Sequence, residues 1–220
     1  MIQEMIHARI IDWGINAFSK LGYQTSRNIE YNFAIENIPH LGNIMDVGST
    51  GSLFSLKMAR KGHRVFANDI RPYQEKHANL VNITEDIKNI NLPEKSLDVI
   101  TCISVIEHIG LSAYGDPQYE DGEFQAMQIF KKLLKKDGIL ILTTPFAGKF
   151  AILPHEKTFE RIYDWNRLQN LFLGWNILKE EFFIPLNSKN WIKASRKESE
   201  LVYLSYKRSN LSCFVLSGGD

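Results

Sequence analysis

Ile44-Met45-Asp46-Val47-Gly48-Ser49-Thr50-Gly51-Ser52 decides how this chain is read. A short, mostly apolar run stops abruptly in small residues. A helical pattern then carries on through Leu53, Phe54, Leu56, Met58 and Ala59 to Gly62. Small residues let a backbone approach a ligand closely, and a helix that starts there offers unpaired N–H groups. Glycine at 62 suits the position just past a helix end. By itself the turn is a weak signal, because an ordinary tight connection from strand to helix looks the same.

The pattern repeats downstream. Arg64–Ile70 reads as a strand, 72–79 as a polar helix, and Leu80–Ile83 as a short strand. Leu97–Ile103 is nearly all apolar, as strands buried on both faces are. Gly122–Lys136 places Phe124, Met127, Phe130, Leu133 and Leu134 at helical spacing, with Asp137-Gly138 as its stop. Ile139–Thr144 is another buried strand, 163–173 a helix, Trp175–Ile184 a strand and Leu211–Leu216 the last strand. Such alternation makes βαβ units, whose right-handed crossovers place helices on both faces of a parallel sheet. Upstream, Ile2, Met5, Ile6, Ile10 and Trp13 recur at helical spacing, and Asn28–Ile35 reads as a second helix stopped near Pro39.

Composition bounds the possibilities. The chain has 220 residues, 44% hydrophobic and 23% charged, which is globular rather than disordered or fibrous. Its formal net charge of +1 gives no electrostatic footprint for nucleic acid or an anionic membrane surface. No stretch is long and apolar enough to span a membrane. The start lacks the pattern of a secretory signal. Cys102 and Cys213 both sit in apolar runs, which suits a reducing cytoplasm better than a disulfide framework.

Open parallel sheets take ligands beyond the carboxyl ends of their strands. The candidate residues therefore lie after Val47, Asp69, Ile103 and Thr144. Asp69 ends the second strand, where a carboxylate can accept both hydroxyls of a ribose; a solvated helix cap would look alike. Glu85-Asp86-Ile87 follows the third strand; Asp86 can accept from an exocyclic amine and Ile87 can cover a purine face. Ser104-Val105-Ile106-Glu107-His108 follows the fourth. Histidine's unperturbed pKa lies near neutrality, so His108 suits a general base, with Glu107 as an orienting or acceptor-binding group. A loop from Gly110 to Gly122, with Tyr114, Asp116 and Tyr119, has the length of a lid. A second loop, 145–157, carries His155 as another residue able to face an acceptor. Glu107, His108 and His155 together would suit a divalent metal, but adjacent residues on an extended segment point apart, so no metal is expected.

In this order the elements resemble the class I S-adenosylmethionine-dependent methyltransferases over about Ile44 to Leu142. Asp46–Ser52 resembles their glycine-rich first motif, Asp69 their ribose-binding acid and Asp86-Ile87 their adenine grip. Ser96–Ile100 with Ser104–His108 is similar to their fourth motif, and Leu133–Leu140 to the stretch before their fifth strand. Thr50 and Ser52 stand where the family has its second and third glycines. The resemblance implies a doubly wound, Rossmann-like α/β fold: a seven-stranded, mostly parallel sheet with an antiparallel last strand. It implies S-adenosyl-L-methionine as cofactor, bound by Asp46, Gly48, Ser49, Thr50, Gly51, Asp69, Ile70, Asp86, Ile87 and Ser104. For a hydroxyl acceptor His108 is the expected catalytic base, with His155 second and Glu107 as an orienting or acceptor-binding group. The expected organisation is a helical cap over 1–40 and a cofactor-binding domain over 41–220.

Arg27–Tyr31, Ile106–Leu111, Tyr114–Asp116 and Thr144–Phe146 resemble a branch of these enzymes often encoded beside polysaccharide-biosynthesis genes. That implies a small-molecule or glycan acceptor, methylated at a hydroxyl. Two alternatives stand beside this reading. Gly48, Gly51 and Asp69 would also serve a nicotinamide-dependent oxidoreductase, although the spacing departs from G-x-G-x-x-G. A non-catalytic protein that retains the cofactor fold is the other.

Overall fold

The computed structural model describes residues 25–112, 114–115, 117–154, 159–186, 190–201 and 209–218. The helix expected over Ile2–Trp13, and the residues Asp116 and His155, lie outside the described residues.

Helix α1 (Ser26–Asn37) opens on Thr25, whose hydroxyl accepts from Asn28 N, and ends before Pro39. Then come β1 (Asn43–Val47), α2 (Phe54–Arg60), β2 (Arg64–Asp69), β3 (Leu80–Thr84) and β4 (Leu97–Ile103). Helix α3 (Gly122–Leu133) leads straight into β5 (Leu134–Phe146). The short pair β6 (Ala151–Pro154) and β7 (Phe159–Ile162) precedes α4 (Trp165–Leu171), β8 (Trp175–Pro185), β9 (Trp191–Ala194), α5 (Arg196–Leu201) and β10 (Asn210–Gly218).

Eight strands form one sheet in the order β3-β2-β1-β4-β5-β10-β8-β9. The first five are parallel, and β10 runs antiparallel between β5 and β8. The seven strands read from the sequence are all there. The eighth, β9, extends the edge by pairing Ala194 with Phe182 and Trp191 with Pro185. It is only four residues long, too short for a periodic signal.

Alternate residues of each strand face opposite helical layers. Met45, Ile100, Leu140, Leu142 and Phe214 pack under α3 and α4, through Met127, Phe130, Leu168 and Leu171. Ile44, Val65, Val99, Ile141 and Cys213 pack under α1 and α2, through Ile29, Phe33, Phe54 and Met58. Both cysteines are free and buried. No helix among the described residues is long and apolar enough to cross a membrane.

Three expectations are corrected. No helix forms over 72–79. There Asn82 Nδ2 donates to the carbonyls of Tyr73 (2.8 Å) and Glu75 (3.0 Å), holding the segment non-helical beside β3. A short polar window has little helical preference to set against such pairing. Helix α3 stops at Leu133, because Leu134 pairs with Leu97 and begins β5 five residues early. Lys135 is thus a strand residue that ion-pairs Asp98 at 2.6 Å, while Lys131 remains in the last helical turn and donates to Gly174 O at 2.7 Å. Finally, the loop expected over 145–157 contains β6, paired antiparallel with β7.

Behind the carboxyl end of β4 lies a buried ionic cluster. Glu123 of α3 is fully buried between Arg161 (3.0 Å) and Arg167. Arg161 Nη1 also donates to the carbonyls of Glu107 (3.3 Å) and Ile109 (2.8 Å), so the cluster fixes the loop after β4. Removing one partner strands the other charges in a poorly hydrated place. Glu123→Ala is expected to lower unfolding free energy by about 3–5 kcal/mol, read by urea denaturation.

Candidate functional site

The carboxyl ends of β1, β2 and β4 lie side by side, with Val47 opposite Asn68 on one flank and Cys102 on the other. A cavity of about 220 Å³ opens there. Two glycines shape its floor. Gly48 has φ +74°, and a Cβ there would lie 2.3 Å from Val105, so only glycine turns the chain at that point. Gly51 has φ +85° and would direct a Cβ into open space, leaving room for a ligand against the bare backbone.

Asp69 stands at the mouth of the turn. Its Oδ2 accepts from Thr50 N (2.9 Å), and its Oδ1 accepts from Arg71 N (2.9 Å) and Arg71 Nε (3.2 Å). Asp86 begins a 3₁₀ turn after β3, where Oδ1 accepts from Lys88 N at 2.9 Å. Its Oδ2 is buried and makes no hydrogen bond, although the Lys88 ammonium is 3.9 Å away. An orphaned acceptor at a cavity wall suits an amine donor from a ligand. Ile87 is buried beside it, and the Tyr119 hydroxyl lies 3.4 Å from Asp86 Oδ1.

Asp46 is enclosed deeper. Ser55 Oγ (2.5 Å) and Thr101 Oγ1 (2.8 Å) donate to its two oxygens. Burial nevertheless pushes its carboxyl up to about 6. Ser104 ends β4 in a left-handed conformation, φ +49°, which is uncommon for a residue with a side chain. Its N–H donates to Thr143 Oγ1 (3.0 Å), and its hydroxyl bonds the buried Glu30 carboxylate, which Thr143 Oγ1 also reaches at 2.8 Å. A helix before β1 is thereby pinned to the ends of β4 and β5.

Of the residues read from the sequence, Asp46, Gly48, Thr50, Gly51, Asp69, Ile70, Asp86, Ile87, Ser104 and His108 all line this one cavity. Ser49 and Glu107 do not. Ser49 is buried beneath the turn, and its hydroxyl makes no hydrogen bond. Glu107 is buried behind the wall, where Thr144 Oγ1 lies 3.4 Å from it. Burial drives its carboxyl well above the usual range, and Glu30 and Glu160 push the same way. Glu107 and His108 therefore face different surroundings.

Sequence reading left Arg27, Tyr31 and Arg71 out of the site, yet all three line it, as do Tyr114 and Tyr119 of the expected lid loop. The signal for α1 was available: Arg27 and Tyr31 are four apart and so share a helix face. Tyr31 donates to Ser52 Oγ at 2.8 Å, and the Arg27 guanidinium donates to Ile103 O at 3.3 Å. Across the mouth, Arg71 lies 4.8 Å over the Tyr114 ring, and His108 meets that ring edge-on at 5.2 Å.

Comparisons with known proteins now have a geometry to meet. The model of the family described as "Caenorhabditis protein of unknown function, DUF268" matches residues 64–208. The chain belongs to this family. No curated protein matches it in sequence. Among solved structures it is similar to Burkholderia thailandensis 1,6-didemethyltoxoflavin-N1-methyltransferase, which holds its substrate and S-adenosylhomocysteine. That similarity has TM-score 0.65 at 11% identity and covers 98% of this chain and 88% of the other. An S-adenosylmethionine-dependent methyltransferase from Methanosarcina mazei gives 0.59 at 13% identity, over 84% and 97%. A TehB-like one from Corynebacterium glutamicum gives 0.57 at 13%, over 97% and 98%. The fold of this DUF268 member is thus the class I methyltransferase fold. The reversed β10 agrees: the dinucleotide-binding sheet of an oxidoreductase continues in parallel.

Asp46 gives a test of the site's electrostatics. Its pKa is higher folded than unfolded, so folding favours the protonated form. Its charge then costs stability that is absent below about pH 4 and complete above about pH 7. Relative to the wild type, Asp46→Asn should gain up to about 3 kcal/mol between those pH values, measured by urea unfolding at each.

Proposed function

We propose that this protein is an S-adenosylmethionine-dependent methyltransferase acting on a hydroxyl of a small-molecule, sugar or glycan acceptor. The observation that carries the reading is one cavity joining a glycine turn, a ribose-height carboxylate at Asp69, an orphaned acceptor at Asp86 and an imidazole at His108. Its fold is shared with S-adenosylmethionine-dependent methyltransferases.

The residues present fit the cofactor. Asp69 accepts from the ribose hydroxyls, with Arg71 giving up part of its hold. Asp86 Oδ2 takes the exocyclic amine, and Ile87 covers the purine face. Gly48, Thr50 and Gly51 leave space along the turn, with Ser104 and Ile70 beside it. When bound, S-adenosylmethionine supplies a methyl group already activated on a sulfonium.

The protein's share is then mostly alignment and proton removal. His108 would accept the proton of the acceptor hydroxyl as that oxygen takes up the methyl group. Glu107 acts as a positioning residue for this loop: its carboxyl accepts from Thr144 Oγ1, while Arg161 holds its backbone carbonyl. His155 stands as a second group for the acceptor. Residues 1–40 serve as a cap on the 41–220 domain, which Arg27 and Tyr31 support by lining the cavity. The sugar or glycan class rests on the resemblance of the Arg27–Tyr31, Ile106–Leu111 and Thr144–Phe146 stretches, and a cytoplasmic location on the two free thiols.

Calorimetric titration with S-adenosylhomocysteine is expected to show binding, and Asp69→Ala to weaken it at least about 10-fold. No heat beyond dilution from folded protein ends the proposal. His108→Ala should cut turnover about 100-fold with cofactor affinity unchanged; unchanged turnover removes His108 from the chemistry. Cofactor binding with no transfer to any acceptor would favour a non-catalytic role.

A further inference from the structure

Charged side chains of both signs line the cavity, among apolar ones such as Ile70, Ile87 and Val105. Asp69, Glu85 and Asp86 gather at the ends of β2 and β3, and Arg27, Arg71 and His108 also line the cavity, with Tyr31 and Tyr114. Each arginine has an acidic partner, Glu30 at 3.6 Å and Asp69 at 3.2 Å. The pairs are lopsided, however. The side chains of Arg27 and Arg71 are each 40% exposed, against 2% for Glu30 and 4% for Asp69. The acids are turned inward: Glu30 is held by Ser104 and Thr143 hydroxyls, and Asp69 by the N–H groups of Thr50 and Arg71. In each pair the arginine is the more exposed member, and both arginines line the cavity.

Tyr114 ties these cations to the reacting end. Its ring carries Arg71 on one side and meets His108 edge-on. Burial holds its phenol above the usual range; Arg71 and Arg27 pull it down, while Glu107 and Glu160 push it up. Planar guanidinium forks match carboxylate and phosphate oxygens in pairs, and bind them more strongly in a partly desolvated cleft than in water.

We propose that the acceptor is an anion: a hydroxyl compound bearing a carboxylate or phosphate, which Arg71 and Arg27 hold while its hydroxyl meets His108. This rests on the methyltransferase reading and adds to it the charge class of the substrate. Neutral sugars and alcohols are the compounds it disfavours. The α-carboxylate of the cofactor is a second possible source of the same oxyanion chemistry, and the experiment separates the two.

The full chain is first titrated with S-adenosylhomocysteine and, separately, with 5′-methylthioadenosine, which lacks the carboxylate. The protein saturated with S-adenosylhomocysteine is then titrated with matched probes: glucuronate and glucose 6-phosphate against glucose, and hydroxybenzoate against hydroxybenzyl alcohol. Methyl transfer to the same compounds is followed by S-adenosylhomocysteine release. At least one anionic probe should bind or react about 10-fold better than its neutral partner, and the advantage should shrink as salt rises from about 0.05 to about 0.5 M.

Arg71→Leu should abolish that advantage, chiefly through KM, and Arg71→Lys should restore part of it. Arg27→Leu should do the same. If Arg27→Leu instead weakens S-adenosylhomocysteine but not 5′-methylthioadenosine, and leaves the anion preference intact, Arg27 serves the cofactor and its role here is overturned. Equal or better performance by the neutral probes, no binding or reaction by any anionic probe, or an undiminished preference in Arg71→Leu overturns the proposal. Failure of S-adenosylhomocysteine to bind at all strikes the methyltransferase reading beneath it.

Discussion

Parallel pairing is the constraint from which the rest follows. Strands β1, β2 and β4 run the same way, so their carboxyl ends share one edge, and the connections leaving Val47, Asp69 and Ile103 open together. The helices that return the chain occupy the two faces and leave that edge to the loops. A cavity forms where the turn after β1 must pass close to Val105. Side chains far apart in sequence, from Asp46 to His108, thereby meet without any of them having to organise the others.

Helix α1 completes what the sheet begins. A buried Glu30 carboxylate reaches the hydroxyls of Ser104 and Thr143, at the ends of two neighbouring strands. The same contact ties α1 to Ser104, and the helix places Arg27 and Tyr31, one turn apart, on the cavity wall. On the opposite side, Glu123 and its two arginines brace the loop that carries His108. Buried ionic groups of this kind are weak sources of stability. Here they sit on the supports of the site, where fixed geometry matters most.

Much of this was legible because its signals are local. The continuous apolar runs at Leu97–Ile103 and Ile139–Thr144 name buried strands, and the small residues after Val47 name the turn. Asp69 and Asp86 were legible from their place at strand ends. Where reading failed, distant partners had the decisive role. Asn82 captured the carbonyls of Tyr73 and Glu75, so no helix formed there. Leu97 drew Leu134 out of a good helical pattern into β5. Glu107 looked like half of a reactive pair, but its neighbour His108 took the cavity side and left it behind the wall.

By itself the sequence determined the order of the main strands, their parallel pairing, and which strand ends would carry polar side chains. Each of these depends on periodicity, turn chemistry and chain connectivity, which are properties of contiguous residues. Only the tertiary structure decided that Arg27 and Tyr31 belong to the cavity, that Ser49 and Glu107 do not, and that Glu30 and Asp69 are buried beside more exposed arginines. Those outcomes depend on which side of a packed layer an atom faces, and that is settled by partners tens of residues away.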